Sequence, residues 1–181
     1  QDRRGLHQIP EIGTDLPQTS AYIKKRLDEM GIPWKDCGGP LPAKMTDDFV
    51  EAGFPRMEKE TGVTAVIGHG SPCILLRADM DALPVREDND LEYKSCNGAG
   101  HMCGHDSHAA MLLGAAQILK DMESELKGSV KLMFQPGEET GAGARVMVEN
   151  GALQDPQVNA AFGLHVQPTD DTGKVGYAVG V

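Results

Sequence analysis

Residues that bind metal ions or transfer protons cluster at four places, each beside a segment predicted to form a strand or a helix. Asp79 and Asp81 follow one predicted strand. Glu138 and Glu139 follow a second, and His165 lies near the end of a third. In open α/β sheets, ligands bind beyond the carboxyl ends of the strands, so these segments are placed to share one edge. The densest group comes just before a predicted helix: His101, Cys103, His105, Asp106 and His108.

This mixture of side chains is typical of a site for divalent metal ions. Imidazole and thiolate are ligands of borderline metals such as Zn²⁺, and carboxylate oxygens also suit harder ions such as Mn²⁺. A dinuclear hydrolytic site fits the set of donors.

Each element also has a purely structural interpretation. Asp79 and Asp81 taken alone are more typical of turn and cap residues, and the Glu138–Glu139 pair could be a charged loop. A single histidine such as His165 is more often a hydrogen-bonded core residue. The concentration of three of the chain's six histidines with a cysteine within residues 101–108 favours a metal. The other two histidines, His7 and His69, have no such companions and are predicted to be surface or structural residues.

Composition and charge narrow the class of partner. The chain has 181 residues and a net charge of −10, which repels nucleic acids and anionic membranes. Its apolar runs, such as residues 73–76, are far shorter than the roughly 20 residues that a membrane helix needs. A small molecule or a peptide is therefore the expected substrate, with no nucleic-acid or membrane partner.

The cysteines and the absent motifs add further expectations. Four cysteines are too few for a disulfide scaffold, so we expect reduced thiols and a cytoplasmic protein. The first residue is not Met, which predicts that the chain begins after the start of its gene. The sequence has no G-x-S-x-G elbow, P-loop, H-E-x-x-H motif or zinc-deaminase pattern. Of the reaction classes considered, metal-assisted hydrolysis is therefore the one that remains.

Hydrophobic periodicity predicts alternating strands and helices, and hence an α/β fold. We expect a three-layer α/β/α sandwich around a mixed, mostly parallel sheet. Residues 40–61, with a helix over 46–52, are predicted to be a surface insertion. The other predicted elements are a helix over 14–31, a hairpin of strands 63–67 and 73–77, a helix over 107–119, a strand over 130–135, a helix over 141–150 and a strand over 160–166.

Four ordered motifs resemble those of a known family. They are RADMDALP (77–84), HMCGHDSH (101–108), FQPGEE (134–139) and GLHV (163–166), and LHQIPE (6–11) also matches. Together they resemble the aminoacylase/carboxypeptidase family of metallopeptidases. The similar branch is that of the hippurate, auxin-conjugate and aminobenzoyl-glutamate hydrolases. The resemblance covers nearly the whole chain except residues 40–61.

The resemblance assigns roles to individual residues. It implies a two-metal amide hydrolase in which Glu138 is the general base and Asp81 orients a ligand. Asp79 stands where other branches of the family have a metal-binding histidine. The implied metal ligands are Cys103, His105, Glu139 and His165.

The implied function is hydrolysis of N-acyl amino acids by a metal-activated water, with two divalent ions, Zn²⁺ or Mn²⁺. Two alternatives remain: a metallocarboxypeptidase acting on short peptides, and a non-catalytic metal-binding fragment. The family's fold implies that residues 1–181 are the N-terminal portion of the catalytic domain. The lid and dimerisation domain and the last catalytic segment would then lie beyond Val181. The fragment is predicted to be inactive alone, and the full-length protein to be a homodimer.

Overall fold

A computed structural model describes residues 1–177, so residues 178–181, and with them the predicted boundary at Val181, lie outside the described part. The strands and helices alternate along much of this length. They are α1 (Asp2–His7), α2 (Pro17–Glu29), β1 (Trp34–Asp36), α3 (Ala43–Glu51), β2 (Val63–Gly68), β3 (Cys73–Asp79), α4 (His105–Asp121), a short 3₁₀ helix (Glu123–Glu125), β4 (Ser129–Gln135), α5 (Gly143–Glu149) and β5 (Ala160–Gly163).

The strands form one sheet in the order β1-β2-β4-β3-β5. β3 pairs with β4 and β5 in parallel, whereas β2 pairs antiparallel with both β1 and β4. Among the described strands, β2 alone therefore runs against the others. The predicted α/β class and mixed, mostly parallel sheet are confirmed.

The predicted hairpin of strands 63–67 and 73–77 is wrong, because β4 lies between β2 and β3. Thr64 is in register with Met133 on one side of β4, and Leu76 is in register with Leu132 on the other. Most of β4 is buried, as expected of a central strand. Residues 69–72 thus connect two antiparallel strands that stand two strand spacings apart, about 10 Å.

Apolar side chains cover both faces of the sheet and create three layers. On one face, α2 and α4 pack through Ile23, Leu27, Leu112 and Leu113 against Val63, Ala65, Ile67, Leu132 and Phe134. On the opposite face, Met147 of α5 packs with Leu75 and Met133. The helices therefore hold the sheet from both sides.

Residues 40–61 have a small core of their own. Phe49 of α3 packs with Leu41, Met57 and Val146 of α5, and Pro40 pairs with Lys59 in an isolated bridge. The segment is therefore attached to the domain through α5. That it is an insertion remains a prediction.

Several element boundaries differ from the predicted ones. α4 begins at His105 instead of residue 107, which places His105 and His108 in its first turn. β5 ends at Gly163, so the predicted strand over 160–166 is too long. Helix α1 and strand β1 were not predicted. Over residues 1–177, no helix combines the length and apolar character needed to cross a membrane.

Candidate metal centre

The candidate residues meet at one edge of the sheet because three neighbouring strands run in the same direction. Asp79, the last residue of β3, is in register with Gln135, the last residue of β4. The chain continues from these strands to Asp81 and to Glu138, and from β5 to His165. The first turn of α4 lies at the same edge.

Asp81 ties two of these segments together. Its Oδ1 and Oδ2 accept hydrogen bonds from the backbone N–H groups of Glu138 and Glu139, each at 3.1 Å. Its Oδ1 also lies 3.3 Å from Nδ1 of His105. The side chain is fully buried, so this carboxylate fixes the Glu138–Glu139 loop relative to α4.

The other ring nitrogen of His105 faces a group of carboxylates. Nε2 lies 3.8 Å from Oδ2 of Asp79, 3.9 Å from Oε2 of Glu138 and 3.8 Å from Oε1 of Glu139. These distances are too long for hydrogen bonds. Burial opposes protonation of His105, but the adjacent Asp81 carboxylate and the other nearby negative charges outweigh it and raise the pKa of the imidazole. The position between these oxygens therefore favours a positive charge.

Cys103 and His165 form the other side of the centre. Sγ of Cys103 lies 3.4 Å from Nε2 of His165. Nδ1 of His165 lies 2.7 Å from the carbonyl oxygen of Val166 and must donate to it, which leaves a lone pair on Nε2. Burial and the negative charge of Glu139 raise the pKa of the Cys103 thiol to about 11. A thiolate here needs a nearby cation.

The donor atoms fit a divalent cation. Nε2 of His105 and Oε1 of Glu139 are buried and complete no hydrogen bond among the described residues. His105 belongs to every metal-competent group found in residues 1–177. In each group, the ligand atoms lie within 4.8 Å of one another: Cys103, His105 and His165; Asp79, His105 and His108; His105, Glu138 and Glu139. The structure thus brings together the residues that the family resemblance implies as the four ligands and the general base.

The group that contains His108 differs from the other two, because its carboxylate is already held by both His108 and a cation outside the group. Nδ1 of His108 lies 2.5 Å from Oδ1 of Asp79, and Nη1 of Arg77 lies 2.8 Å from Oδ2. Burial opposes ionisation of Asp79, but His108, His105 and Arg77 outweigh it and lower the pKa of its carboxyl. Asp79 therefore already has two cationic or hydrogen-bonding partners.

The remaining histidines lie outside these groups. His101 is buried, and both of its ring nitrogens lack a hydrogen-bond partner in the described chain. Burial lowers its pKa to about 4. His7 is also buried, 2.7 Å from both Asp106 and Glu87, so it is structural rather than a surface residue. His69 is exposed, as predicted.

The contributors near the site that sequence reasoning missed are Arg77, which contacts Asp79, and Arg3 and Glu87, which contact Asp106 and His7. Arg3 and His7 both contact Oδ2 of Asp106, the residue after His105, and so tie α1 to the start of α4. The LHQIPE motif was the available sequence signal for His7. Nothing in the sequence pairs it with Asp106, which lies 99 positions away.

Gly104 is expected to be required where α4 starts. Its φ is +86°, and a Cβ there would lie 2.5 Å from Cγ2 of Val166. Gly104→Ala should cost about 1–2 kcal/mol through left-handed strain alone, with the Val166 contact adding to it. Gly114→Ala is the matched control, because a Cβ there meets nothing within 4 Å. It should stabilise the helix by about 1 kcal/mol. Urea unfolding measures both, and equal effects would contradict the steric argument.

Comparison with known proteins identifies the family of the chain. Residues 75–180 match peptidase family M20/M25/M40. The chain is 45% identical over 166 residues to IAA-amino acid hydrolase ILR1-like 5 of Arabidopsis thaliana, covering 91% of this chain and 33% of that protein. It is 43% identical over 181 residues to N-acetyl-L-cysteine deacetylase of Bacillus subtilis (strain 168), covering 98% of this chain and 38% of that protein.

A solved structure of an M20 peptidase is also similar to this chain. The YXEP protein of Bacillus subtilis, described as a dinuclear metal binding peptidase from the M20 family, superimposes with a TM-score of 0.75 at 37% identity. The match covers 93% of this chain and 42% of that one. The chain thus spans between a third and about two fifths of the length of these relatives. The resemblance drawn from the motifs is confirmed: the chain belongs to peptidase family M20/M25/M40.

Proposed function

We propose that the protein is a metal-dependent amidohydrolase that cleaves the amide bond of N-acyl amino acids. The observation that carries the proposal is the convergence of three carboxylates on Nε2 of His105, beside the Cys103–His165 pair. The N-acetyl-L-cysteine deacetylase relative supports the substrate class, since its name specifies an N-acyl amino acid.

The proposed ligands are Cys103, His105, Glu139 and His165, which would hold two divalent ions, Zn²⁺ or Mn²⁺. The mixture of thiolate, imidazole and carboxylate suits either metal. When bound, such ions supply Lewis acidity, which makes a water molecule more acidic and an amide carbonyl more electrophilic.

Glu138 is the proposed general base. Its side chain is 41% exposed, against 21% for that of Glu139, so Glu138 is the carboxylate better placed to reach solvent. In the proposed reaction, Glu138 takes the proton of the attacking water and later donates it to the leaving amine. Asp81 holds both residues through their backbone N–H groups and orients His105.

A metallocarboxypeptidase acting on short peptides is the second candidate. The superimposed YXEP protein is described as a peptidase, and both reactions cleave an amide bond. The two functions differ in the acyl group on the nitrogen of the cleaved amide. It comes from a simple carboxylic acid in one and from an amino acid or peptide in the other.

Hydrolysis assays on the full-length gene product test the proposal. The metal is removed with a chelator, Zn²⁺ or Mn²⁺ is restored, and release of the amine is measured on N-acetyl amino acids and on dipeptides. We expect metal-dependent cleavage that favours the N-acetyl substrates. Preference for dipeptides would favour the peptidase. Metal binding without cleavage would favour a non-catalytic metal protein.

The setting of the proposed enzyme follows from its chemistry and charge. All four cysteines are free, which fits a reducing, cytoplasmic location. The net charge of −10 disfavours nucleic acids and anionic membranes as partners. A homodimer of the full-length protein completes the proposal, and its molar mass in solution tests this point.

Changing Cys103 to alanine should weaken metal retention. The substitution removes the sulfur that lies 3.4 Å from His165 and leaves the other proposed ligands in place. Elemental analysis after dialysis measures the metal content. Cys96→Ala is the matched control because Cys96 is exposed and belongs to none of the metal-competent groups in the described residues. Unchanged metal content in Cys103→Ala would remove Cys103 from the ligand set.

A further inference from the structure

Both ring nitrogens of His108 are engaged, although this residue lies beside the candidate metal centre. Its Nε2 accepts a hydrogen bond from the backbone N–H of Val166 at 2.9 Å. The proton of the neutral ring is therefore on Nδ1, which donates to Oδ1 of Asp79. In this tautomer, no lone pair of His108 is left for a metal.

Asp79 is held in turn by Arg77. Nη1 of Arg77 lies 2.8 Å from Oδ2 of Asp79, and Nε of Arg77 donates to Oε1 of Gln135 at 2.8 Å. Asp79 and His108 are almost completely buried. A continuous set of polar contacts therefore runs from the end of β4, through the end of β3 and the first turn of α4, to the peptide N–H of Val166.

This set ends at the residue that follows His165. β5 has already ended at Gly163, and residues 164–166 are exposed. The backbone of Val166 fixes the orientation of His165 in two ways. The carbonyl oxygen of Val166 accepts a hydrogen bond from Nδ1 of His165, and the N–H of Val166 is held by His108. The His108 and His165 rings also lie edge to face, with centroids 4.5 Å apart.

We propose that Asp79 and His108 are positioning residues that fix the segment carrying His165, and that neither binds metal. Asp79 selects the tautomer of His108, and Nε2 of His108 then holds Val166. This role rests on the proposed function in one respect, because it takes His165 to be a metal ligand.

Nitrogen NMR of the ¹⁵N-labelled full-length protein loaded with ¹¹³Cd²⁺ distinguishes ligands from positioning residues. We expect ¹¹³Cd–¹⁵N coupling at His105 and His165. His108 should show none, and should carry its proton on Nδ1 with and without the metal. Coupling at His108 would overturn this proposal alone. The absence of coupling at every histidine would overturn the proposed metal centre as well.

Two replacements of His108 identify which nitrogen matters. Glutamine places an acceptor near the position of Nε2, whereas asparagine places a donor near that of Nδ1. If fixing Val166 is the role, His108→Gln should retain more metal affinity than His108→Asn, as measured by competition with a chelator. Equal affinity in both variants and the wild type would overturn the proposal.

Asp79→Asn should lower metal affinity about 10- to 100-fold, the usual cost of losing a residue that supports a ligand. Glu60→Gln is the matched control, because Glu60 is also a buried carboxylate but is absent from the metal-competent groups of the described chain. Its metal affinity should not change. An Asp79→Asn variant with wild-type affinity would contradict the proposal, and the His108 series tests it should Asp79→Asn not fold.

Discussion

Replacing Glu138 by glutamine is expected to lower turnover about 10²- to 10⁴-fold, the usual cost of losing a general base, while the metal content stays the same. Such a loss corresponds to about 3–5 kcal/mol of activation free energy. The substitution keeps the size of the side chain and its backbone N–H bond to Asp81, so the loop should remain in place. It removes only the ability to accept a proton.

Glu139→Gln is the matched control for this prediction. Oε1 of Glu139 is buried without a hydrogen bond among the described residues, and this side chain is the proposed ligand. Its replacement should weaken metal binding, and added metal should partly restore turnover. Added metal should not restore Glu138→Gln. The assignment of the general base would be wrong if Glu138→Gln kept near-normal turnover, or if both variants lost metal equally.

Part of the candidate site could be predicted from the sequence because several of its residues follow the strands. Asp81, Glu138 and His165 each come just after a strand, and β3, β4 and β5 are parallel neighbours whose ends meet. Residue type and position along the chain were therefore enough to predict that these three residues lie close together. The pairing of Asp79 with His108 was not predictable in the same way, because it depends on the angle at which α4 packs against β3.

The fold could be predicted where the sequence pattern is local. The prediction failed where a segment pairs with a part of the chain that is distant in sequence. The 63–77 region has the length and turn residues of a hairpin, but β4, more than 50 positions later in the chain, separates its two strands. The start of α4 was missed because its N-cap is Gly104 in a left-handed conformation, without the side-chain cap that usually marks a helix start. His7 was missed as a buried residue because both of its carboxylate partners are remote in sequence.

Glu60 should make the protein less stable as the pH rises. It is 6% exposed, and neither carboxylate oxygen has a hydrogen-bond partner among the described residues. Burial raises the pKa of its carboxyl to about 8, from an ordinary value of 4.5. The folded state thus keeps a proton that the unfolded chain releases, so folding takes up a proton between these two values. The Glu60 contribution to stability is constant below pH 4.5, falls as the pH rises to about 8, and is constant again above it.

Glu60→Gln removes this penalty because its amide carries no charge at any pH. The free energy of unfolding of Glu60→Gln, minus that of the wild type, should therefore rise between pH 4.5 and 8. The gain is limited to about 1.4 kcal/mol per pH unit, a few kcal/mol in all. Urea unfolding in the presence of a chelator measures this difference. The contributions of the other titrating groups are the same in both proteins and cancel. Glu58→Gln is the matched control, since it makes the same chemical change at a side chain that is 78% exposed. A flat difference for Glu60→Gln would mean that Glu60 is ionised in the folded state at neutral pH.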